Sequence, residues 1–271
     1  MNRRASLFSF LWTAWVMAAW AFVPPGVGAE LTRDYLTDVW TSEDGLPDSS
    51  VTAIAQTPDG YLWLGTYNGL ARFDGVRFVT FDPANTPALQ HARLRKLYVD
   101  ARGTLWINTY DGSLTTYRQG QFTLERHNTR LSESEMTPVG SSSNQIVFLE
   151  SRGELLRKPL AAPPGEGWQE LPPPGRGLDA QAVQDSRGVI WYRDGDRRLW
   201  RLTGSRFEPV PEAGTNLNCL TTDAAGNLWI GADSGFEFWD GRHFQDATPT
   251  NSAWTAPLKI TALAIASDGE I

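Results

Sequence analysis

Cysteine and histidine are scarce in this chain, and no stretch has the period of a long amphipathic helix. A single cysteine, Cys219, excludes an internal disulfide and any cysteine-rich metal site. It lies in Leu217-Asn218-Cys219-Leu220, an inner-strand pattern in which the thiol serves as a small buried hydrophobe. The three histidines form no constellation. His91 sits among Arg93, Arg95 and Lys96, while His127 and His243 fall at an outer strand's end and start, and none has a partner at metal-ligand spacing. No metal and no cofactor are therefore expected. Nor does a nucleophile motif anchor a Ser/His/Asp triad, and no acid pair stands out for glycoside hydrolysis. With a formal net charge of -7 and scattered Lys and Arg, the chain is a poor partner for nucleic acid.

One apolar run is long, and it opens the chain. Arg3 and Arg4 precede an uncharged stretch from Leu7 to Val23, Pro24-Pro25 breaks it, and Val27-Gly28-Ala29 supplies small residues for cleavage. Residues 1–29 read as an export signal, so that Glu30 opens the mature protein. A retained membrane anchor is the alternative, although 17 apolar residues are short for a span. Cleavage would remove two arginines and no acid, taking the formal charge from -7 to -9.

What is abundant is a repeated phrase. Gly60-Tyr61-Leu62-Trp63 returns as Gly103-Thr104-Leu105-Trp106, Gly188-Val189-Ile190-Trp191 and Gly226-Asn227-Leu228-Trp229, with a weaker copy at Ile146-Val147. The steps between anchors are 43, 41, 44 and 38 residues. A period near 40 marks units that bury their cores by stacking on one another. A sixth copy begins at Gly269-Glu270-Ile271, and one further step of 43 falls just past Ile271, so the chain is expected to stop inside a repeat.

Each unit reads as four short strands. In the first, runs at 51–56, 61–66, 70–73 and 76–81 are separated by Thr57-Pro58-Asp59-Gly60, Tyr67-Asn68-Gly69 and Asp74-Gly75. Asn-Gly and Asp-Gly suit tight hairpins because both residues tolerate positive φ. Four antiparallel strands in so short a span make a propeller blade. The expected fold is all-β, a β-propeller of four-stranded antiparallel blades: residues 1–29 signal, residues 30–271 repeats. Blades are expected at 51–82, 94–126, 137–171, 180–212 and 218–247, with a truncated sixth at 260–271. In the third, Pro163-Pro164 and Pro172-Pro173-Pro174 predict an irregular outer strand. Trp63, Trp106, Trp191 and Trp229 are assigned to packing between blades, each contributing on the order of 2–3 kcal/mol. Asp100, Asp185 and Asp223, with Thr57 in the first unit and Ala266 in the last, stand three residues before the turn glycine. The Asp and Thr side chains would bond the turn backbone there.

The opening residues carry a resemblance. Trp40-Thr41-Ser42-Glu43-Asp44-Gly45-Leu46-Pro47, then Gly60-Tyr61-Leu62-Trp63-Leu64-Gly65-Thr66, then Gly69-Leu70-Ala71-Arg72-Phe73-Asp74-Gly75 resemble the two-component regulator propeller family. The resemblance extends over residues 34–271 and is poorest in the third unit. It implies a periplasmic ligand-sensing input domain of a membrane histidine kinase, often a hybrid kinase in a phosphorelay. It further implies no catalysis by this chain, a tether to the inner membrane through parts absent here, and dimerisation in the full receptor. Some relatives carry a diguanylate cyclase output instead.

Strand alternation puts the turns between second and third strands on one face with the links between blades. Tyr67 and Asn68, Tyr110 and Asp111, Arg193, and Asp233 are the candidate ligand-binding residues on that face. Tyr67 and Tyr110 occupy matching positions in adjacent blades, where paired aromatics suit stacking on a sugar. The expected partner is a small molecule or oligosaccharide. The competing class is an exported propeller enzyme: a glycosidase, a lyase or a quinone-dependent dehydrogenase. The Asp-x-x-Gly-x-Leu/Ile-Trp spacing differs from a sialidase Asp box, and no unit pairs Gly-His with Trp-Asp as in scaffold propellers. Residues 30–271 alone are expected to form an open, aggregation-prone arc, since propellers close by pairing their chain ends.

Overall fold

The computed structural model describes residues 37–126, 135–175, 179–223, 225–248 and 259–263. Residues 1–29, expected to be an export signal, and His127, Ala266 and the sixth repeat phrase lie outside those residues. The chain divides into two units, Met1–Val39 and Trp40–Ile271. Of the first, only residues 37–39 are described, and they carry no regular structure.

The second unit contains five sheets, each a four-stranded antiparallel meander in chain order. Blade 1 comprises β1 (Val51–Gln56), β2 (Leu62–Thr66), β3 (Leu70–Phe73) and β4 (Phe78–Phe81). Blade 2 comprises β5 (Leu94–Val99), β6 (Leu105–Thr109), β7 (Leu114–Arg118) and β8 (Gln121–Arg126). Blade 3 has β9 (Met136–Ser141), β10 (Gln145–Glu150), β11 (Leu155–Pro159) and β12 (Gln169–Leu171). Blade 4 has β13 (Gln181–Gln184), β14 (Ile190–Arg193), β15 (Leu199–Thr203) and β16 (Arg206–Pro209). Blade 5 has β17 (Leu217–Thr222), β18 (Leu228–Ala232), β19 (Gly235–Trp239) and β20 (Phe244–Asp246). First strands of successive blades run side by side, β1 against β5, β5 against β9, β9 against β13 and β13 against β17. The β1, β5 and β17 strands share a register shift at their second residue, a bulge that raises local twist.

Covering by neighbours explains the composition of the strands. Blade 2 has a blade on either side, and all five residues of β6 are buried. In blade 1 only the Trp63 face is covered, where Leu94, Leu105, Tyr117 and Phe122 of blade 2 meet it. Ile54, on the opposite face, is 64% exposed. Outward along that face, the Trp40 ring lies 4.9 Å from Phe73 and 6.3 Å from Phe78. Trp63, Trp106 and Trp191 each face the next blade and are buried. Trp229 differs from the expectation in being only half-buried. It packs on Phe236 and Phe238 of its own blade. Beyond it, Ile260 donates its backbone N–H to Ala232 at 2.9 Å.

The conserved turn has a second purpose besides reversing the chain. Asp100 accepts from the backbone N–H groups of Arg102 and Thr104, both at 2.9 Å, and from Trp106 Nε1 at 2.9 Å. Asp185 does the same for Arg187, Val189 and Trp191, and Asp223 accepts from Asn227 N and Trp229 Nε1. In blade 1 Thr57 Oγ1 accepts from Trp63 Nε1 at 2.9 Å. A buried indole N–H needs a partner, and this residue is always six positions upstream. The turn glycine is fixed by sterics as well. At Gly226, φ is +79° and an added Cβ would sit 2.6 Å from Ser186 N of the preceding blade's turn, whose N–H bonds Gly226 O at 3.1 Å.

Two local expectations are corrected. Residues 38–41, the chain end expected to help close the ring as an outer strand of the last blade, form no strand. Thr41 instead caps a 3-10 turn at Ser42–Asp44: Glu43 N donates to Thr41 Oγ1, and Thr41 N donates to Asp44 Oδ2 at 2.8 Å. The third unit is more regular than its sequence suggests, with four strands joined by three antiparallel pairings and loop 160–168 before β12. That loop is held by Lys158, which is 2% exposed and donates to the carbonyls of Pro163 and Glu166 while pairing with Glu125 at 3.2 Å.

Candidate functional site

The turn after β2 and the turn after β6 lie on the same face as the link that enters blade 2. Thr66 and Thr109 start these turns, and each hydroxyl donates to the carbonyl that closes it, Gly69 O at 2.7 Å and Ser113 O at 3.1 Å. This fixes the residues in between, Tyr67-Asn68 and Tyr110-Asp111, at the mouth between blades 1 and 2. The link is tied to the second turn by Tyr110 N donating to Arg93 O at 2.9 Å.

Tyr67 and Tyr110 are brought together, as their matching positions implied, but not as an open pair. The guanidinium carbon of Arg93 lies 4.6 Å from the Tyr67 ring centroid and 4.8 Å from that of Tyr110. Arg95 lies 4.1 Å from the same Tyr110 ring, and His91 stands 6.4 Å from it. An arginine therefore fills the gap in which a sugar was expected to stack. Tyr67 remains 47% exposed, and Asn68 beside it is exposed.

The charges here are unevenly matched. Glu135 pairs with Lys96 at 2.7 Å and with Arg95 at 3.7 Å. Asp111 accepts from Thr109 Oγ1 at 2.6 Å and Ser113 N at 3.0 Å. Burial pushes the Asp111 carboxyl upward, but these bonds and the charge of His91 outweigh it and hold the group below its ordinary value. Among the described residues the Arg93 side chain has no carboxylate partner. Its contacts are the two rings. Next to it opens a cavity of about 660 Å³ lined by Pro47, Asn68, Asp82, Pro83 and Ala92.

Arg193 and Asp233 fall elsewhere. Arg193 is a strand residue at the end of β14, 0% exposed, rather than an open turn residue. Its guanidinium pairs with Asp179 at 3.1 Å and donates to the backbone carbonyls of Asp179 and Asp194. It stands two residues after its tryptophan, where blades 1 and 5 have Gly65 and Gly231. Asp233 is bound by Arg197 at 2.9 Å and Asn218 at 3.0 Å, with Lys259 at 3.7 Å, and Arg197 also donates to Asn218. Those bonds, Arg197's first, lower the Asp233 carboxyl below its usual range. A second cavity, about 510 Å³, lies beside this network against Arg197, Arg198, Trp200 and Pro211. Here the cation is already neutralised, which distinguishes it from Arg93.

The sequence reading missed Arg93 and Arg95 as site residues, for which no local signal exists. It also missed Asp194, whose carboxylate accepts from Trp200 Nε1 at 2.8 Å. The same six-residue Asp-to-Trp spacing would have found it. Among the described residues no group of three or more His, Cys, Asp or Glu is placed to hold a metal, and no helix is long and apolar enough to cross a membrane. Cys219 is buried, and burial raises its thiol.

Five antiparallel blades among the described residues, packed face to face through Trp63, Trp106, Val147 and Trp191, define the protein as a β-propeller. Residues 45–68 match the family model described as two component regulator propeller, so the chain carries a repeat of the family that its sequence resembles. Among solved structures, it is similar to the extracellular domain assigned to a hybrid two component system, BT3049, from B. thetaiotaomicron. The TM-score is 0.55 at 20% identity, covering 78% of this chain and 31% of that one. A second extracellular domain from that organism, BT4673, assigned to a one component system, aligns with TM-score 0.54 at 19% identity, over 74% of this chain and 31% of the other. A virginiamycin B lyase from Staphylococcus aureus aligns with TM-score 0.52 at 13% identity, over 74% and 71%. The chain thus spans under a third of the length of the two extracellular domains. At these identities the likeness establishes the propeller fold. No curated protein matches the chain.

Proposed function

We propose that this propeller is the ligand-sensing input domain of a two-component signal-transduction receptor, exported and working in the periplasm. The observation that carries the reading is the two component regulator propeller repeat at 45–68, set within five blades of the same design. The N-terminal 29 residues, with their basic start and small-residue end, support export. A histidine kinase transmitter, a phosphorelay and dimerisation of the full receptor belong to the same proposal. In this reading the chain itself performs no chemistry: a ligand settles at the face formed by the second turns and the inter-blade links. A rigid stack of blades suits that task, because it presents loops from several repeats on one surface.

The test uses the full chain against a panel of oligosaccharides, followed by thermal shift and by product analysis. Saturable stabilisation with the glycan recovered intact supports the sensor. Release of cleaved or oxidised product would assign the chain to the propeller enzymes instead.

A further inference from the structure

We infer that the ladder Tyr67–Arg93–Tyr110–Arg95 is an anion-recognition site, at which the N–H edge of Arg93 receives a carboxylate or sulfate group carried by a saccharide. The inference rests on the sensor reading and specifies the ligand class for its site. Three observations carry it.

The first is the unpaired guanidinium. It carries five N–H donors in a planar fork. Tyr67 and Tyr110 both lie within 5 Å of its central carbon, and among the described residues none of its N–H groups has a hydrogen-bond acceptor. Arg93 is half-buried, and none of its nitrogens is both buried and without a partner, so its N–H edge reaches solvent. A carboxylate or sulfate is the planar or forked acceptor such an edge fits in two-point fashion.

The second is local charge. The chain is acidic overall, at -7, yet Arg93, Arg95 and Lys96 gather here beside Glu135 and Asp111, with Asp82 in the adjoining cavity, where its Oδ1 is engaged by Ala84 N and Asn85 N. Glu135 is shared by Lys96 and Arg95. The Arg95 Nε is buried with no partner, a further donor left over in the same cluster. A cationic mouth on an acidic body draws in anions and turns away neutral competitors.

The third is space. The cavity of about 660 Å³ is lined by Ala92, the residue before Arg93, and by Asn68, the residue after Tyr67, and lies in the size range of small-molecule sites. Asn68 and Asp82 offer hydroxyl-directed hydrogen bonds there, while Tyr67 keeps nearly half its surface open for a sugar ring. The neighbouring 510 Å³ cavity lacks this chemistry, because Arg197 is engaged by Asp233 and Asn218.

The experiment is isothermal titration of the full chain with three oligomers on one galactose-type backbone: oligogalacturonate, a sulfated galactan and neutral galactan. The expected result is binding of a charged oligomer over the neutral one, weakening as salt rises. The carboxylated and sulfated arms tell which anion is read. Arg93→Gln should lower that affinity about tenfold or more. Arg93→Lys should recover only part of it, since the charge returns without the fork. Far-UV circular dichroism and melting of each variant check the fold. Equal binding of neutral and charged oligomers, unchanged affinity in Arg93→Gln, or no binding of any of the three would overturn the anion site. A neutral glycan that stabilises wild type and Arg93→Gln alike would sink the site and leave the sensor reading intact. Turnover of a glycan would sink the sensor reading itself.

Discussion

The pin between Asp185 and Trp191 gives the sharpest test of how these blades hold together. Asp185 is buried and accepts from Arg187 N, Val189 N and Trp191 Nε1, at 2.9, 2.9 and 3.1 Å. Replacing it with alanine leaves the indole and the Val189 N–H buried without acceptors, while Arg187 N lies nearer water. Each stranded donor costs about 1–3 kcal/mol. Removing the carboxylate also relieves its own desolvation, which offsets part of that sum. Asp185→Ala should therefore destabilise by about 3 kcal/mol, a large fraction of the roughly 5–15 kcal/mol that a domain has. Asp185→Thr copies the arrangement at Thr57, which bonds Trp63 Nε1 through a hydroxyl. It should restore the indole bond and about half the loss. Urea unfolding followed by tryptophan fluorescence measures both. A double-mutant cycle with Trp191→Phe should give a coupling of about 1–2 kcal/mol between the two positions. A loss in Asp185→Ala below about 1 kcal/mol, or strict additivity in the cycle, would refute the idea that this carboxylate anchors the indole.

Two further outcomes follow from buried polar groups. Tyr192 donates to Gly153 O at 3.1 Å, and burial, aided by Asp194, raises its phenol from 10.0 to about 12. Because the folded value lies above the unfolded one, this contribution is complete below pH 10 and is lost as pH climbs toward 12. Tyr192→Phe should cost about 1 kcal/mol at neutral pH and flatten the alkaline limb of a melting-temperature profile; an unchanged limb would count against the assignment. In blade 3, Lys158→Met strands Glu125 as a buried charge and should cost about 3–5 kcal/mol, whereas Lys158→Met with Glu125→Leu should cost less than the single change. Chemical denaturation that ranks the double variant below the single would show that the pair is not electrostatically matched.

The repeat was legible because it is written in residues with few structural alternatives. A glycine at positive φ that also touches the preceding turn cannot drift, as Gly226 against Ser186 illustrates. A tryptophan buried between sheets needs both volume and an acceptor, so Asp and Trp travel together at a separation of six. Blade 3 was harder to read because Val147 takes the place of the indole and needs no acceptor. Its turn then shrinks to Ser142-Ser143-Asn144, and the Asp-x-x-Gly phrase disappears although the strand pairings persist. Lys158 was also opaque. A lysine in a strand normally marks a wet face, and only the loop that folds over it from residues 160–168 makes it a core residue.

The candidate face was legible in outline, while the residue that fills it was not. Hairpin alternation correctly brings the second turns to one side, since it depends only on strand count, and Tyr67 and Tyr110 duly face a common mouth. What occupies that mouth depends on a residue between the two turns in sequence, in a link whose course no local pattern dictates. Arg93 enters because its backbone carbonyl is held by Tyr110 N, which directs the chain across the gap between the rings. Once there, the guanidinium changes what the tyrosines can do. Two open aromatic faces would select a neutral sugar by stacking, whereas faces already covered by cations pass selection to the charge at their edge. Arg193 is the converse. As a lone cation after a strand it looked available, but burial at the end of β14 commits it to Asp179 and the backbone. Arg193 Nε is left without an acceptor too, but it is sealed inside the blade. Of the two arginines, the one with neither a carboxylate nor a carbonyl partner and with access to solvent is the one with chemistry to offer a ligand.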